Sequence, residues 1–171
     1  MSSGFPTLQP AFKLIVDVSP ANHIGTVASG STLIHFPTST GTLISVPGFA
    51  HEVNAKIIFG CDYLYMDPDA SKMRVNVNGV AKTDDDVMIS FKYFGTHYLT
   101  DEMKQALAGG TQTVTMPFGQ STTYLTFESG HEKYKDLENH TFVGNCRFIV
   151  VNGKVAVETR LSMVIPSTAM D

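Results

Sequence analysis

Three side chains able to move protons sit inside otherwise apolar, strand-like stretches: His35 in STLIHF, Asp62 in FGCDY, and Lys92 between Phe91 and Tyr93. An imidazole titrates near neutrality, and burial pulls an ammonium or a carboxyl toward the same range. Groups of this kind serve general acid–base chemistry, in which one takes a proton and another returns it. Arg74, Asn76 and Asn78 recur at every second position and could polarise a carbonyl, while Glu128 and Tyr134 flank a predicted turn of helix. Each residue also has an ordinary reading. His35 can be a hydrogen-bonded core histidine, Lys92 can face water, and Asp62 can close a strand-end turn. Asn76 and Asn78 can be solvated, Tyr134 can be packing, and Glu158 and Arg160 share a strand face where they can pair with each other.

Other chemistries leave weaker traces. The six histidines are His23, His35, His51, His97, His131 and His140. No two of them have the i, i+4 spacing of a helical zinc site, and His51-Glu52 and His131-Glu132 have no third ligand nearby in sequence. A metal site assembled from distant strands would leave no local signature, and no metal is expected. Gly109-Gly110 does not carry a strand into a helix, no phosphate-binding loop exists, and no Gly-x-Ser-x-Gly elbow is present. No cofactor is expected. Proton chemistry is what these residues leave.

The elements that would position such groups centre on residues 55–95. Strands are predicted at 56–66, 73–80 and 87–94, joined by Asp67-Pro68-Asp69-Ala70-Ser71 and by Lys82-Thr83-Asp84-Asp85-Asp86. Between the turns Met73, Val75 and Val77 alternate with Arg74, Asn76 and Asn78, the pattern of half-buried antiparallel strands. Asparagine is a poor strand former, so this polar set is expected to line a chamber or to face water. Upstream, strands are predicted at 12–18 and 42–46, with one strand or a strand pair kinked at Gly30 over 25–36, after a Pro-containing arm over residues 1–10. Downstream, Thr100 can cap a short helix that ends at Gly109-Gly110 and could plug a barrel. Strands follow at 111–116 and 121–127, and Ser129 to Glu132 has capping-box spacing. The hairpin CRFIVV–Asn152-Gly153–KVAVETRLSMVI carries the strongest turn signal in the chain. Nine or ten short strands and two short helices, without repeat or linker, predict one mainly β domain over residues 1–171, an antiparallel barrel.

Of 171 residues only 12 are basic and 16 acidic, and the net charge is −4. No basic run could follow a nucleic-acid backbone, and no basic amphipathic helix points to a membrane surface. The amino terminus lacks the charged-then-apolar order of a signal peptide, so a cytoplasmic location is expected, with Cys61 and Cys146 as free thiols. Barrels also pair through edges or outer faces, which makes a homodimer possible.

The order of segments resembles a family of small β-barrels found in bacteria and fungi, domain of unknown function three-two-three-seven. The resemblance rests on Gly60-Cys61-Asp62-Tyr63, on Thr83-Asp84-Asp85-Asp86 followed by Met88-Ile89, on Tyr93-Phe94-Gly95, and on YKDLENHTFVG from Tyr134. It runs from Leu14 to Val164. Asn76 and Asn78 stand where the family more often has an Asp and an Arg. The resemblance implies a calycin-like fold. It also implies a cofactor-independent isomerase or cyclase acting on a small aromatic polyketide or flavonoid-like molecule, in the manner of chalcone isomerase. Such a ring closure needs a base for the phenol, a donor for the enolate oxygen and an apolar pocket. On this reading His35, Lys92 and Asp62 are catalytic, and Arg74, Asn76, Asn78, Glu128 and Tyr134 bind substrate. The alternative is a barrel that binds such a molecule without converting it.

Overall fold

The computed structural model describes residues 4–107 and 113–169. Alternating side chains give eleven strands: β1 Thr7–Val18, β2 Asn22–Thr26, β3 Thr32–Pro37, β4 Gly41–Ser45, β5 Asn54–Met66, β6 Lys72–Thr83, β7 Met88–Tyr98, β8 Val114–Thr115, β9 Ser121–Glu128, β10 Phe142–Val151 and β11 Lys154–Ile165. Every pairing is antiparallel. The order β4-β1-β11-β10-β9-β7-β6 returns to β5, and β3 and β4 both pair with β5 and form one stave between them. The result is a closed eight-stranded barrel with β2 laid along β3. Closure removes the open edges that an antiparallel sheet of this size would otherwise expose.

The two ends of the barrel are built differently. At one, Phe12 meets Phe49, Phe127 and Phe142 at ring-centroid distances of 5.0, 5.2 and 5.5 Å. All four are buried. Beneath them lie α2 (Glu132–Lys135) and a 3₁₀ turn (Asp136–Asn139), which bury Tyr134 and Leu137. The Tyr134 hydroxyl donates to Asp85 Oδ1 at 3.0 Å, and Lys133 Nζ reaches Oδ2 at 2.7 Å. Lys133, with Thr83 and Tyr134, holds the Asp85 carboxyl well below the usual carboxylate range. The β6–β7 turn is thereby tied to the plug. The other end carries the β1–β2 turn, the β3–β4 connection and the β10–β11 hairpin.

Several sequence expectations shift in place. Of the two readings of 25–36 the strand pair is the one formed, with Gly30 at φ +87° in the turn between β2 and β3, and β2 begins earlier, at Asn22. Thr7 to Pro10, assigned to an arm, pairs with β11. Ser129 is not the helix cap. Its Oγ donates to the Met88 carbonyl, and His131 caps α2 by accepting from the Lys133 amide. Thr100 does cap α1 (Asp101–Leu107), taking the Met103 amide at 3.2 Å and seating Met103 in the core. The predicted stop at Gly109-Gly110 and the start of the strand at 111–116 lie outside the described residues. The hairpin at Asn152-Gly153 forms as expected, with both residues at positive φ.

Because Phe12 is fully buried among three other rings, Phe12→Ala should lose about 3–5 kcal/mol of stability. Urea unfolding followed by circular dichroism checks this. A loss below about 1 kcal/mol would show that the plug end is not the core of the barrel.

Candidate functional site

A bulge in β5 sets the lining of the open end. Ile57 pairs with Ala81 and Phe59 with Val80, so Ile58 is an extra residue on β5. Before the bulge Ala55 and Ile57 face inward; after it Gly60, Asp62 and Leu64 do. One inserted residue exchanges the two faces of a strand. Without it Cys61 and Tyr63 would point into the barrel and Asp62 out. Just beyond, the ladder to β6 lapses at Tyr63 and Leu64, and the Asn76 amide donates to Asp62 Oδ1 at 3.0 Å instead.

A chamber of about 880 Å³ opens at this end. Asp62, Leu64, Met73, Val75, Tyr93, His97 and Phe148 form much of its wall, and the β1–β2 turn and the β10–β11 hairpin form its rim. Its size lies within the range of small-molecule sites, and its wall is mostly apolar with a few polar groups, as such sites are. Asp62 pairs with Val77, and Val77 with Tyr93, so the carboxyl and the phenol stand in one row two strands apart. Their backbones are therefore about 10 Å apart, with both side chains directed inward.

Burial dominates the electrostatics here. Desolvation lifts the Asp62 carboxyl to about 7, against the opposing hydrogen bond from the Asn76 amide. Desolvation also pushes the Tyr93 phenol well above its ordinary range, so it is neutral and able to donate. Burial pushes His97 down to about 4, leaving a neutral imidazole whose Nδ1 is bonded to the Ser121 hydroxyl. Among the described residues Thr38 Oγ1 is buried without a hydrogen-bond partner, and no protein group bonds the Tyr93 hydroxyl. Thr38 lies beside Gly60, where a Cβ would come within 2.5 Å of its oxygen.

Of the residues singled out in the sequence, Asp62 is the one on the chamber wall. His35 faces outward from β3, bonded to the Asn22 amide at 3.1 Å and packed on Tyr63. Lys92 and Glu128 pair at 3.4 Å on the outer surface. Arg74 forms a bidentate pair with Asp67, both contacts at 2.8 Å. The polar set expected as a lining is the outer face of β6, where Asn78 donates to Asn76, while Met73, Val75 and Val77 face in. The reason is economy of burial: three apolar side chains enter the core and the amides stay partly solvated. Tyr134 belongs to the plug. Glu158 is on the outside too, yet only 1% exposed, because Arg147, Arg160 and Lys13 cover it. Burial opposes its charge, and the two guanidiniums outweigh that and hold its carboxyl below the ordinary range. Cys61 and Cys146 are free.

A closed antiparallel barrel with an apolar chamber at one end defines the fold class. The chain belongs to the family described as Protein of unknown function (DUF3237), whose model matches residues 6–164. Its fold is similar to that of a conserved protein of unknown function from Rhodopseudomonas palustris, at 17% identity and a TM-score of 0.76, covering 95% of this chain and 100% of that one. A β-barrel-like protein from Acinetobacter baumannii is similar at 20% identity and a TM-score of 0.71, covering 95% and 98%. So is a protein described as an enzyme from Penicillium herquei, at 14% identity and a TM-score of 0.59, covering 94% and 97%. No curated protein matches. Among the described residues no helix is long and apolar enough to cross a membrane.

The raised carboxyl has a signature in stability. Folded Asp62 keeps a proton up to about pH 7 that the unfolded chain sheds near 3.8, so its contribution declines as pH rises through that window. Asp62→Asn removes the effect. The variant should match the wild type near pH 4 and exceed it by up to about 4 kcal/mol above pH 7, measured by urea unfolding at several pH values. A difference that does not change with pH would contradict the burial of this charge.

Proposed function

We propose that this barrel is a cofactor-independent isomerase or cyclase in which Asp62 carries a proton within the chamber, on a small aromatic polyketide or flavonoid-like substrate. The observation that supports this reading is the Asp62 carboxyl, lifted to about 7 on an apolar chamber wall that it shares with the Tyr93 phenol, two strands away. A base works best when its pKa lies near the working pH, and burial supplies that here. In a chalcone-type ring closure, the Asp62 carboxylate takes the proton of the phenol. The phenolate oxygen then forms a C–O bond to the enone β-carbon, and the C=C electrons move to the carbonyl oxygen as an enolate. Tyr93 donates a hydrogen bond to that oxygen. The Asp62 carboxylic acid returns its proton to the α-carbon, so product and substrate are isomers and nothing is oxidised or reduced. The apolar wall of Met73, Val75 and Phe148 holds the two reacting ends together. The description of the Penicillium herquei relative as an enzyme is in keeping with a catalytic reading.

The test uses 2′-hydroxychalcone and more heavily hydroxylated analogues as probes, with turnover followed by absorbance and product by mass-resolved chromatography. Wild-type turnover should rise with pH to a plateau, with an inflection near 7. Asp62→Asn should lose at least about a hundredfold in kcat, and Tyr93→Phe about tenfold or more. His35→Ala and Lys92→Met should keep wild-type rates, because both side chains are outside. Saturable binding of these probes without product would favour a carrier, and undiminished turnover in Asp62→Asn would remove Asp62 as the base.

A further inference from the structure

We propose that His51, Asp136 and His140, at the plugged end of the barrel, bind one zinc ion. His51 lies in the loop between β4 and β5, Asp136 opens the 3₁₀ turn, and His140 follows that turn. Both imidazoles direct Nε2 at the same oxygen, Asp136 Oδ2, at 3.3 Å from His51 and 3.2 Å from His140. Charge-assisted N–H···O bonds are usually about 2.7–2.9 Å, so these contacts are long for ion pairs. They fit a different geometry better. Zinc bound at about 2.0–2.2 Å to nitrogen and oxygen in a tetrahedron spaces its ligand atoms roughly 3.3–3.5 Å apart. The three donor atoms all lie within 4.8 Å of one another. Two imidazoles and one carboxylate form a donor set that zinc favours, and water can fill the fourth position because Asp136 is exposed.

The surroundings hold these ligands in place. Asn139 Nδ2 donates to Asp136 Oδ1 at 3.0 Å, which turns the other oxygen toward the histidines. Phe49 packs against His51 with ring centroids 5.5 Å apart, and Phe142 against His140 at 6.4 Å. Both phenylalanines are fixed in the aromatic plug, so the rings begin from preorganised positions. A ligand orientation set by outer hydrogen bonds and packing is what a metal centre needs. An ion here would staple the loop before β5 to the helical cap, far from the chamber at the other end.

Zinc chloride is titrated into chelator-stripped full-length protein by calorimetry. The wild type should bind one equivalent with a micromolar or tighter Kd, and His51→Gln and His140→Gln should each weaken binding by about a hundredfold or more. His23→Gln, a change at an exposed histidine on β2, should leave it intact. Zinc should raise the Tm of the wild type and not of His51→Gln. Should the variants fold poorly, X-ray absorption of the zinc-loaded wild type gives an independent reading, expected as two imidazoles and oxygen ligands. Equal zinc affinity in wild type and both variants, millimolar binding in the wild type, or a sulfur shell from Cys61 would each overturn the proposal.

Discussion

The register shift of one residue between β5 and β6 decides which β5 side chains reach the chamber wall. Strand side chains alternate strictly, so a barrel built without the extra residue at Ile58 would present Cys61 and Tyr63 to its interior. With it, Gly60 makes room for Thr38, Asp62 reaches the chamber, and the carboxyl finds the Asn76 amide where the ladder lapses. The electrostatic character of the chamber is thus a consequence of backbone pairing. A carboxyl that faced water would titrate in the ordinary range and offer little to proton transfer near neutrality.

A buried acid is costly to the fold, and the opposite end of the same barrel offsets it. Four phenylalanines interlock there, the helical cap covers them, and Asp85 ties cap to turn. The two ends therefore divide the lumen between them, one half filled to resist unfolding and the other left with space. On the outside, Glu158 shows the contrary arrangement: a covered carboxylate with both oxygens bound by arginines, which stays charged and available to nothing else.

Much of the architecture was legible in the sequence, for physical reasons. Period-two alternation located the long strands, Asn152-Gly153 located the last hairpin, and Thr100 located a helix start. Whether Met73 or Asn76 pointed inward was a question of burial, and the simple answer, apolar in and amide out, was the one the barrel adopts. The site was harder to read. Asp62 stood out as a carboxyl in an apolar strand, but Tyr93 drew attention only as a neighbour of Lys92, and nothing local separates a phenol that packs from one that lines a space. His97 and Thr38 carried no signal either, since their burial depends on pairings distant in sequence. The bulge that turns Asp62 inward has no proline or glycine at Ile58 to announce it. His51 meets His140 across 89 positions; the one nearby cue was Asp136 and His140 four apart, hidden because a spacing sought between histidines passes over an aspartate.

Gly60 has a further meaning for how such a wall can diversify. A methyl group there would come 2.5 Å from the Thr38 oxygen and 2.9 Å from the Thr38 carbonyl, so that position has no room to grow. Changes in the shape of the chamber must come from elsewhere, at Leu64 or along the rim from Val16 to Ala21. The wall beside Asp62 is sterically frozen while the entrance is not, so the shape of the chamber can change from its rim without disturbing the buried carboxyl.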